Sequence, residues 1–207
     1  MHAIMSLGFG YLIGCIHPAA LLSKLKNVDL KKEGTKNLGA TNTAIVLGRA
    51  SGILVMVLDI LKSFFASRLA RALFPQLAIA GMLASIGAIV GHCFPVFLHF
   101  QGGKGLAAFG GMVLAYNPWF FLIIVIPGVL LMILLNTGVA VPMAGCVMFP
   151  LLTWFWGRSI PHTLCALIAS AFVFGMHWSN LQKAINNKDV ISTRNFFKNI
   201  LFKKKEK

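Results

Sequence analysis

Residues 91–105 read GHCFPVFLHFQGGKG, and they end a long apolar segment in a glycine-rich loop that carries one lysine. Glycine accepts positive φ values, so successive backbone N–H groups in such a loop can converge on one anion. Lys104 would add a mobile positive charge beside them. The pattern predicts a phosphate site at a membrane surface. A turn whose lysine anchors the chain at the lipid headgroups is the alternative interpretation.

The composition indicates an integral membrane protein. Hydrophobic residues make up 57% of the 207 residues, charged residues make up 12%, and the mean hydropathy is +0.80. A soluble domain of this length cannot bury so much apolar surface. The first apolar run begins without a basic segment or a cleavage site, so we expect it to be retained as a membrane span.

Proline, glycine and asparagine interrupt the apolar runs and predict an all-α protein with about seven helices. One of these helices is too short to span a bilayer comfortably. The predicted helices cover about residues 3–22, 52–73, 77–97, 106–116, 118–136, 139–156 and 160–177. We expect a single membrane domain over residues 1–207, in which residues 178–207 form a basic tail.

The net charge of +14 is unevenly placed. Six of the 19 basic residues lie between Ser23 and Ala50, and eight follow His177. The positive-inside rule predicts that both regions face the cytoplasm, at the inner membrane of a bacterium. If residues 106–135 hold two helical segments, the glycine-rich loop lies on the same side, whereas one tilted helix would put the tail outside. Anionic membrane lipids are the expected partner of this charge, and nucleic acid is not.

The first basic loop carries the run GTKNLGATNT at residues 34–43. Its glycine, hydroxyl and amide groups are typical of a site that surrounds a polar headgroup with hydrogen bonds. Helix capping is the ordinary role of a single Thr or Asn in such a place. The candidate ligand contacts in this run are Gly34, Thr35, Asn37, Gly39, Thr41 and Asn42.

Four polar residues inside the apolar segments have the spacing of helix neighbours. Asp59 and Lys62 are three positions apart, which favours a mutual ion pair with a structural role. His177 and Asn180 share this spacing and could bind one ligand from one helix face, although a histidine can also cap a helix end. The same two interpretations apply to His92.

Several kinds of chemistry lack their usual residues. The sequence has no nucleotide-binding P-loop, no Gly-x-Ser-x-Gly and no His-Glu-x-x-His motif. None of the six histidines is followed five residues later by an aspartate, so the common His-Asp acyltransferase motif is missing. The four cysteines form no Cys-x-x-Cys pair. We therefore expect neither a metal nor a cofactor.

Four blocks, taken in order, resemble the PlsY-type acyl-phosphate:glycerol-3-phosphate acyltransferases of bacteria, and the resemblance covers nearly the whole chain. The blocks are Gly34-x-x-Asn37-x-Gly39-Ala40-Thr41-Asn42, Asp59-x-x-Lys62, Gly91-His92-x-Phe94-Pro95-Val96-Phe97 with Gly102-Gly103-Lys104-Gly105, and His177-x-x-Asn180. The resemblance implies a seven-helix membrane enzyme with a cytoplasmic active site. It also implies transfer of a fatty acyl group from acyl phosphate to the 1-hydroxyl of glycerol 3-phosphate, which yields lysophosphatidic acid and phosphate.

The resemblance also implies roles for individual residues. The catalytic set would be Lys104, Thr35, His177 and Asn180. The substrate-binding set would be Gly34, Asn37, Gly39, Thr41, Asn42, His92, Gly102, Gly103 and Gly105.

Two departures from the family pattern remove positive charge, because Ile45 and Trp178 stand where arginines are expected. Each lost charged hydrogen bond to phosphate is worth about 1.5–3 kcal/mol. We expect Lys36, Arg49 or Lys183 to compensate. Smaller departures are Thr35 for serine, Gln101 for lysine and Asp189 for glutamate.

Ile45 and Trp178 favour one rival hypothesis, a divergent paralogue that acylates another acceptor. Two further hypotheses stay open: a non-catalytic membrane protein that binds lipids or anions, and a small transporter, which needs polar residues through the bilayer midplane such as Asp59 and Lys62.

Overall fold

The computed structural model describes residues 1–186, in which nine α-helices and two short helical turns occur and no strand is found. The predicted all-α class is confirmed. The helices are α1 His2–Gly14, α2 Pro18–Leu25, α3 Ala40–Leu47, α4 Arg49–Leu73, α5 Ala80–Cys93, α6 Leu106–Tyr116, α7 Pro118–Leu134, α8 Ala140–Leu152 and α9 Ile160–Ile185. A 3-10 turn at Val96–Leu98 follows α5, and a π-helical turn at Thr153–Gly157 follows α8.

The first predicted helix, residues 3–22, is wrong as a single element. Its path breaks after Gly14, and α2 begins at Pro18 behind an extended His17. Proline lacks the N–H that would continue the preceding hydrogen-bond ladder, but it suits the first position of a new helix. The break places the side chain of His17 in the protein interior, where it is 7% exposed.

Two further differences lie at polar segments. Helix α3 was not predicted, and it forms between Gly39 and Gly48, whose φ of +92° is a conformation that favours glycine. Helix α9 continues past the predicted end at residue 177 to Ile185, so it includes the first part of the predicted basic tail. The remainder of that tail, with Asp189, lies outside the described residues.

The predicted division of residues 106–135 into two segments is confirmed. The side chain of Asn117 caps α7 by accepting a hydrogen bond from the Trp119 N–H (2.8 Å), and Pro118 occupies the first turn of α7. The chain therefore reverses between α6 and α7, which sets the side on which α9 ends.

Four helical stretches are long and apolar enough to cross a membrane: His2–Leu25, Ala80–Leu98, Ala140–Gly157 and Ile160–Ile185. Helix α6 is apolar but has only 11 residues. Its length of about 17 Å is well short of a bilayer core. Helix α6 packs between α4 and α5 and contacts α9. It thereby links the glycine-rich segment to the centre of the protein.

Helices α1 and α5 pack through small residues on both helices. Side chains at Gly10 and Gly14 would overlap the backbone of Ala84 and Ala88, and a side chain at Gly87 would overlap the carbonyl of Leu7. Such stripes of small residues let two helix backbones approach closely, which drives helix association where lipid removes the usual hydrophobic gain. This contact fixes α5, whose C-terminal end leads into the glycine-rich segment.

We expect Gly10→Leu to lower the free energy of unfolding by about 2–3 kcal/mol, because the new side chain forces α1 away from α5. Gly8→Leu is the matched control, since no atom lies within 4 Å of a side chain at Gly8. Thermal unfolding of both variants in detergent measures the difference. Equal melting temperatures for the two variants would contradict the close packing of α1 and α5.

Candidate functional site

Three polar segments meet at one end of the helices. They are the first loop (residues 26–39), the glycine loop (Gly102–Gly105) and the C-terminal part of α9. The Lys31 ammonium donates a hydrogen bond to Gln101 Oε1 (3.2 Å), beside the glycine loop. The Lys104 ammonium donates a hydrogen bond to Asn180 Oδ1 on α9 (2.6 Å). The predicted meeting of these segments on one side of the molecule is therefore confirmed.

The glycine loop folds back onto the end of α5. The Gly102 N–H donates to the Cys93 carbonyl (3.0 Å), and the Gly103 N–H donates to the His92 carbonyl (3.1 Å). A side chain at Gly102 or Gly103 would overlap the His92 carbonyl or the His92 ring. These two amides are engaged within the protein, so they cannot converge on an anion as the sequence pattern suggested.

The N–H groups that remain are those at the start of α6. Gly105 precedes the helix with a φ of +82°, and the first helical hydrogen bond runs from the Phe109 N–H to the Gly105 carbonyl (2.8 Å). Across the part of the chain that the structure describes, the N–H groups of residues 104–108 donate no hydrogen bond. A helix N-terminus with free N–H groups attracts anions. This end of α6, together with Lys104, has the chemistry of a phosphate site.

Lys104 is half-buried, and its described hydrogen-bond partner is the neutral side chain of Asn180. Burial, followed by repulsion from Lys183, lowers the pKa of Lys104 below its usual range. Both effects disfavour the charged ammonium, and a bound phosphate would reverse them. An anionic ligand would therefore stabilise the charged form of Lys104.

Helix α9 presents His177 and Asn180 on one face, as the spacing predicted. The His177 Nδ1–H donates to the Val173 carbonyl of the same helix (2.9 Å). In the neutral imidazole this leaves a lone pair on Nε2, which can accept a proton or a hydrogen bond. Trp178 is 49% exposed and packs on Phe174, with 5.7 Å between the ring centroids.

Asn42 organises the first loop. It is fully buried, and its amide nitrogen donates to the carbonyls of Leu30 (2.8 Å) and Glu33 (3.1 Å). Its Oδ1 accepts a hydrogen bond from the Thr35 N–H (2.6 Å). Gly34 has a φ of +59°, and a side chain there would overlap Asn42 Oδ1. Both residues therefore shape the loop, and a direct contact between the Asn42 amide nitrogen and a ligand would require it to give up these bonds.

The remaining predicted contacts of the first loop are more accessible. The side chains of Thr35, Asn37 and Thr41 are partly or fully exposed, and none of them makes a hydrogen bond to another residue in the described range 1–186. Gly39 begins α3 in an extended conformation, and its carbonyl accepts a hydrogen bond from the Thr43 hydroxyl (3.0 Å). The three side chains are thus free to bind a ligand at the site.

His92 lies elsewhere than its predicted role as a substrate contact requires. It is 2% exposed, and its Nδ1 lies 2.9 Å from the Lys62 ammonium and 3.2 Å from Asp59 Oδ1. The predicted ion pair of Asp59 and Lys62 is confirmed, with 2.7 Å between the charged atoms. The sequence showed the spacing of this pair but not the convergence of the pair with His92, because the three residues come from two helices.

The compensating cations occupy different positions. Lys183 repels Lys104 electrostatically, whereas Lys36 and Arg49 are exposed on the first loop and on the first turn of α4. Ile45 is half-buried on α3. Of the three cations, Lys183 is the one whose charge acts on Lys104, and compensation by Lys183 for the arginines missing at Ile45 and Trp178 stays a prediction. Within residues 1–186, no group of three His, Cys or carboxylate side chains could hold a metal ion.

We expect Asn42→Ala to reduce the free energy of unfolding of the first loop by about 2–4 kcal/mol, because three hydrogen bonds are lost and the buried Leu30 carbonyl loses its donor. Limited proteolysis by trypsin at Lys31 and Lys32 should then be faster. Ser51→Ala is the control, since this hydroxyl makes one local hydrogen bond, to the Leu47 carbonyl four residues earlier, and makes none to the first loop within residues 1–186. Unchanged cleavage of Asn42→Ala would contradict the organising role of Asn42.

The chain is similar over most of its length to known glycerol-3-phosphate acyltransferases. The family model described as glycerol-3-phosphate acyltransferase matches residues 4–187. A glycerol-3-phosphate acyltransferase of Geobacillus kaustophilus is 35% identical over 180 residues, which are 86% of this chain and 90% of that protein. Its counterpart from Lactiplantibacillus plantarum is 34% identical and covers 91% of each chain.

Two solved structures of PlsY, an integral membrane glycerol 3-phosphate acyltransferase, have the same fold. The form with glycerol 3-phosphate superposes with a TM-score of 0.84, and the form with lysophosphatidic acid superposes with a TM-score of 0.82. Each is 28% identical to this chain and covers 91% of it, and 94% of the solved chain is matched. Because the family model matches residues 4–187 of this chain, the chain belongs to the glycerol-3-phosphate acyltransferase family.

Proposed function

We propose that this protein transfers a fatty acyl group from acyl phosphate to the 1-hydroxyl of glycerol 3-phosphate. The products are 1-acyl-glycerol 3-phosphate and inorganic phosphate. The observation that carries this proposal is Lys104, which lies at the free N-terminus of α6 and is joined to Asn180 across the site. Family membership and relatives solved with glycerol 3-phosphate and lysophosphatidic acid support it.

Phosphate recognition follows from the charges at the site. The Lys104 ammonium and the N–H groups at the start of α6 hold phosphate oxygens and stabilise the negative charge of the departing phosphate. The reaction brings two phosphate groups together, one on each substrate. Lys183 supplies a second cation near Lys104, and this charge lowers the repulsion between the two phosphate groups.

Acyl transfer then proceeds directly. The hydroxyl oxygen of the acceptor bonds to the acyl carbon as the bond from that carbon to the phosphate oxygen breaks, and the hydroxyl proton leaves with the phosphate. His177 Nε2 accepts a hydrogen bond from the hydroxyl and orients its lone pair. Thr35, Asn37 and Thr41 bind the remaining oxygens of the acceptor. Acyl phosphate is already activated, so positioning and charge stabilisation supply the acceleration and no covalent enzyme intermediate is needed.

The location of the protein follows from its charge. The short helix α3 and then the six helices α4 to α9 separate the first loop from Asn180, and the first loop and Asn180 lie at the same end. Basic residues concentrate at this end, which we place on the cytoplasmic face of a bacterial inner membrane. The exposed apolar side chains of the helices contact membrane lipids. A water-soluble acceptor reaches the site from the cytoplasm, and the acyl donor enters from the bilayer.

A different acceptor is the second candidate, and the specific observation in its favour is the loss of two guanidinium groups at Ile45 and Trp178. An acceptor with less phosphate charge would need fewer cations. Such an enzyme would use the same donor and the same Lys104 chemistry.

We expect Lys104→Ala to slow acceptor-dependent phosphate release at least about 100-fold, because the variant loses the cation that stabilises the leaving phosphate. Purified protein in detergent is given palmitoyl phosphate with and without glycerol 3-phosphate, and released phosphate is measured. Lys26→Ala, which removes an exposed lysine at the end of α2, is the control and should keep the wild-type rate. Normal release by Lys104→Ala would refute the proposed mechanism.

A further inference from the structure

A buried polar cluster lies directly beneath the glycine loop. It consists of Asp59 and Lys62 on α4, His92 on α5 and His17 between α1 and α2, and each of the four is at most 8% exposed. Burying a charge pair in an apolar surrounding is costly, and apolar residues of similar size often replace such a pair without loss of stability. A role beyond stability would explain why this chain carries these groups here.

The contacts of Lys62 define the cluster. Its ammonium donates hydrogen bonds to Asp59 Oδ1 (2.7 Å) and to the Ile16 carbonyl (2.9 Å), and it lies 2.9 Å from His92 Nδ1. The same ring nitrogen lies 3.2 Å from Asp59 Oδ1. In either tautomer Nδ1 bonds to the ion pair, because its lone pair can accept from Lys62 and its N–H can donate to Asp59. The Asp59–Lys62 pair thus fixes the orientation of His92.

The other side of His92 holds the glycine loop. Its carbonyl accepts the Gly103 N–H (3.1 Å), and its ring Nε2 lies so close to Gly103 that a side chain at Gly103 would overlap it. The glycine loop therefore packs directly on the His92 ring. The position of the His92 ring therefore determines the position of Lys104, which directly follows Gly103 in the chain.

The ring of His17 supports the His92 ring by stacking on it. It stacks on His92 with 4.8 Å between the centroids and 21° between the planes. Neither ring nitrogen of His17 has a hydrogen-bond partner among the described residues. The contribution of His17 is therefore the shape of its ring, which prevents the imidazole of His92 from tilting away from the loop.

We propose that His92 is a positioning residue for the phosphate site, and that the buried Asp59–Lys62 pair holds it against the glycine loop. The proposal rests on the proposed function, in which Lys104 and the N–H groups at the start of α6 bind phosphate. It predicts that the pair acts on phosphate affinity through His92 and that the pair touches neither substrate.

The test separates positioning from folding by means of a double substitution. Asp59→Leu or Lys62→Met alone leaves an unpaired buried charge and should lower the melting temperature, whereas Asp59→Leu with Lys62→Met removes both charges and should restore it. Because His92 Nδ1 then has no partner, we expect the affinity for orthophosphate to fall about tenfold in the double variant, which corresponds to one misplaced contact. The KM values of the phosphate-bearing substrates should rise, while kcat stays within about threefold.

Ser85→Ala is the matched control. Ser85 lies on the same helix as His92 and is fully buried, and its hydroxyl has no hydrogen-bond partner within the described chain. Its loss should change neither the orthophosphate affinity nor the KM values. Calorimetric titration with orthophosphate gives the affinity, and differential scanning fluorimetry gives the melting temperature.

The outcomes distinguish this proposal from the proposed function. Wild-type orthophosphate affinity in a double variant with a restored melting temperature would overturn the positioning role, and so would a wild-type protein that binds no orthophosphate. Weaker orthophosphate binding in the double variant supports the positioning role even if the wild-type protein transfers no acyl group. The absence of acyl transfer by the wild-type protein would refute only the proposed function.

Discussion

The apolar surroundings of a membrane protein leave its polar groups two places: the ends of helices, or an interior where each charge is paired. This chain uses both. Lys104, Asn180 and the first loop gather where the helices end, and Asp59 and Lys62 are paired with each other below them. The site depends on this division, because the helix ends supply free N–H groups and the Lys104 cation, while the paired interior supports the loop that carries Lys104. Close packing of α1 and α5 through glycine and alanine fixes the position of the buried ion pair relative to the helix ends.

Much of the fold could be predicted from the sequence, because apolar length and helix-breaking residues report directly on membrane helices. The break at Asn117 and Pro118 gave the correct number of reversals and therefore the meeting of the polar segments. Helix α3 was missed, since a short helix between two glycines carries no distinctive apolar period. The break at Pro18 was hidden inside a continuous apolar run. Both misses concern local backbone geometry, which hydropathy does not encode.

The candidate site was predictable in its residue types but less so in their roles. The spacing of His177 and Asn180 indicated a shared face, and Asn180 does meet Lys104. The glycines were expected to offer their amides to an anion, yet Gly102 and Gly103 donate to the end of α5. Asn42 and His92 were expected to touch substrate, and they bind the loops from inside. These roles depend on contacts between helices distant in sequence, and a single sequence does not reveal such contacts.

The departures at Ile45 and Trp178 make the acceptor the most informative quantity to measure. Purified protein would be supplied with palmitoyl phosphate and equal concentrations of glycerol 3-phosphate, glycerol and other phosphorylated polyols, and the acylated products would be identified by mass spectrometry. Ile45→Arg would be compared under the same conditions. Our account predicts that 1-palmitoyl-glycerol 3-phosphate dominates in the wild-type protein, with Lys183 in place of the missing charge. A product from another acceptor, or no acylated product, would contradict it.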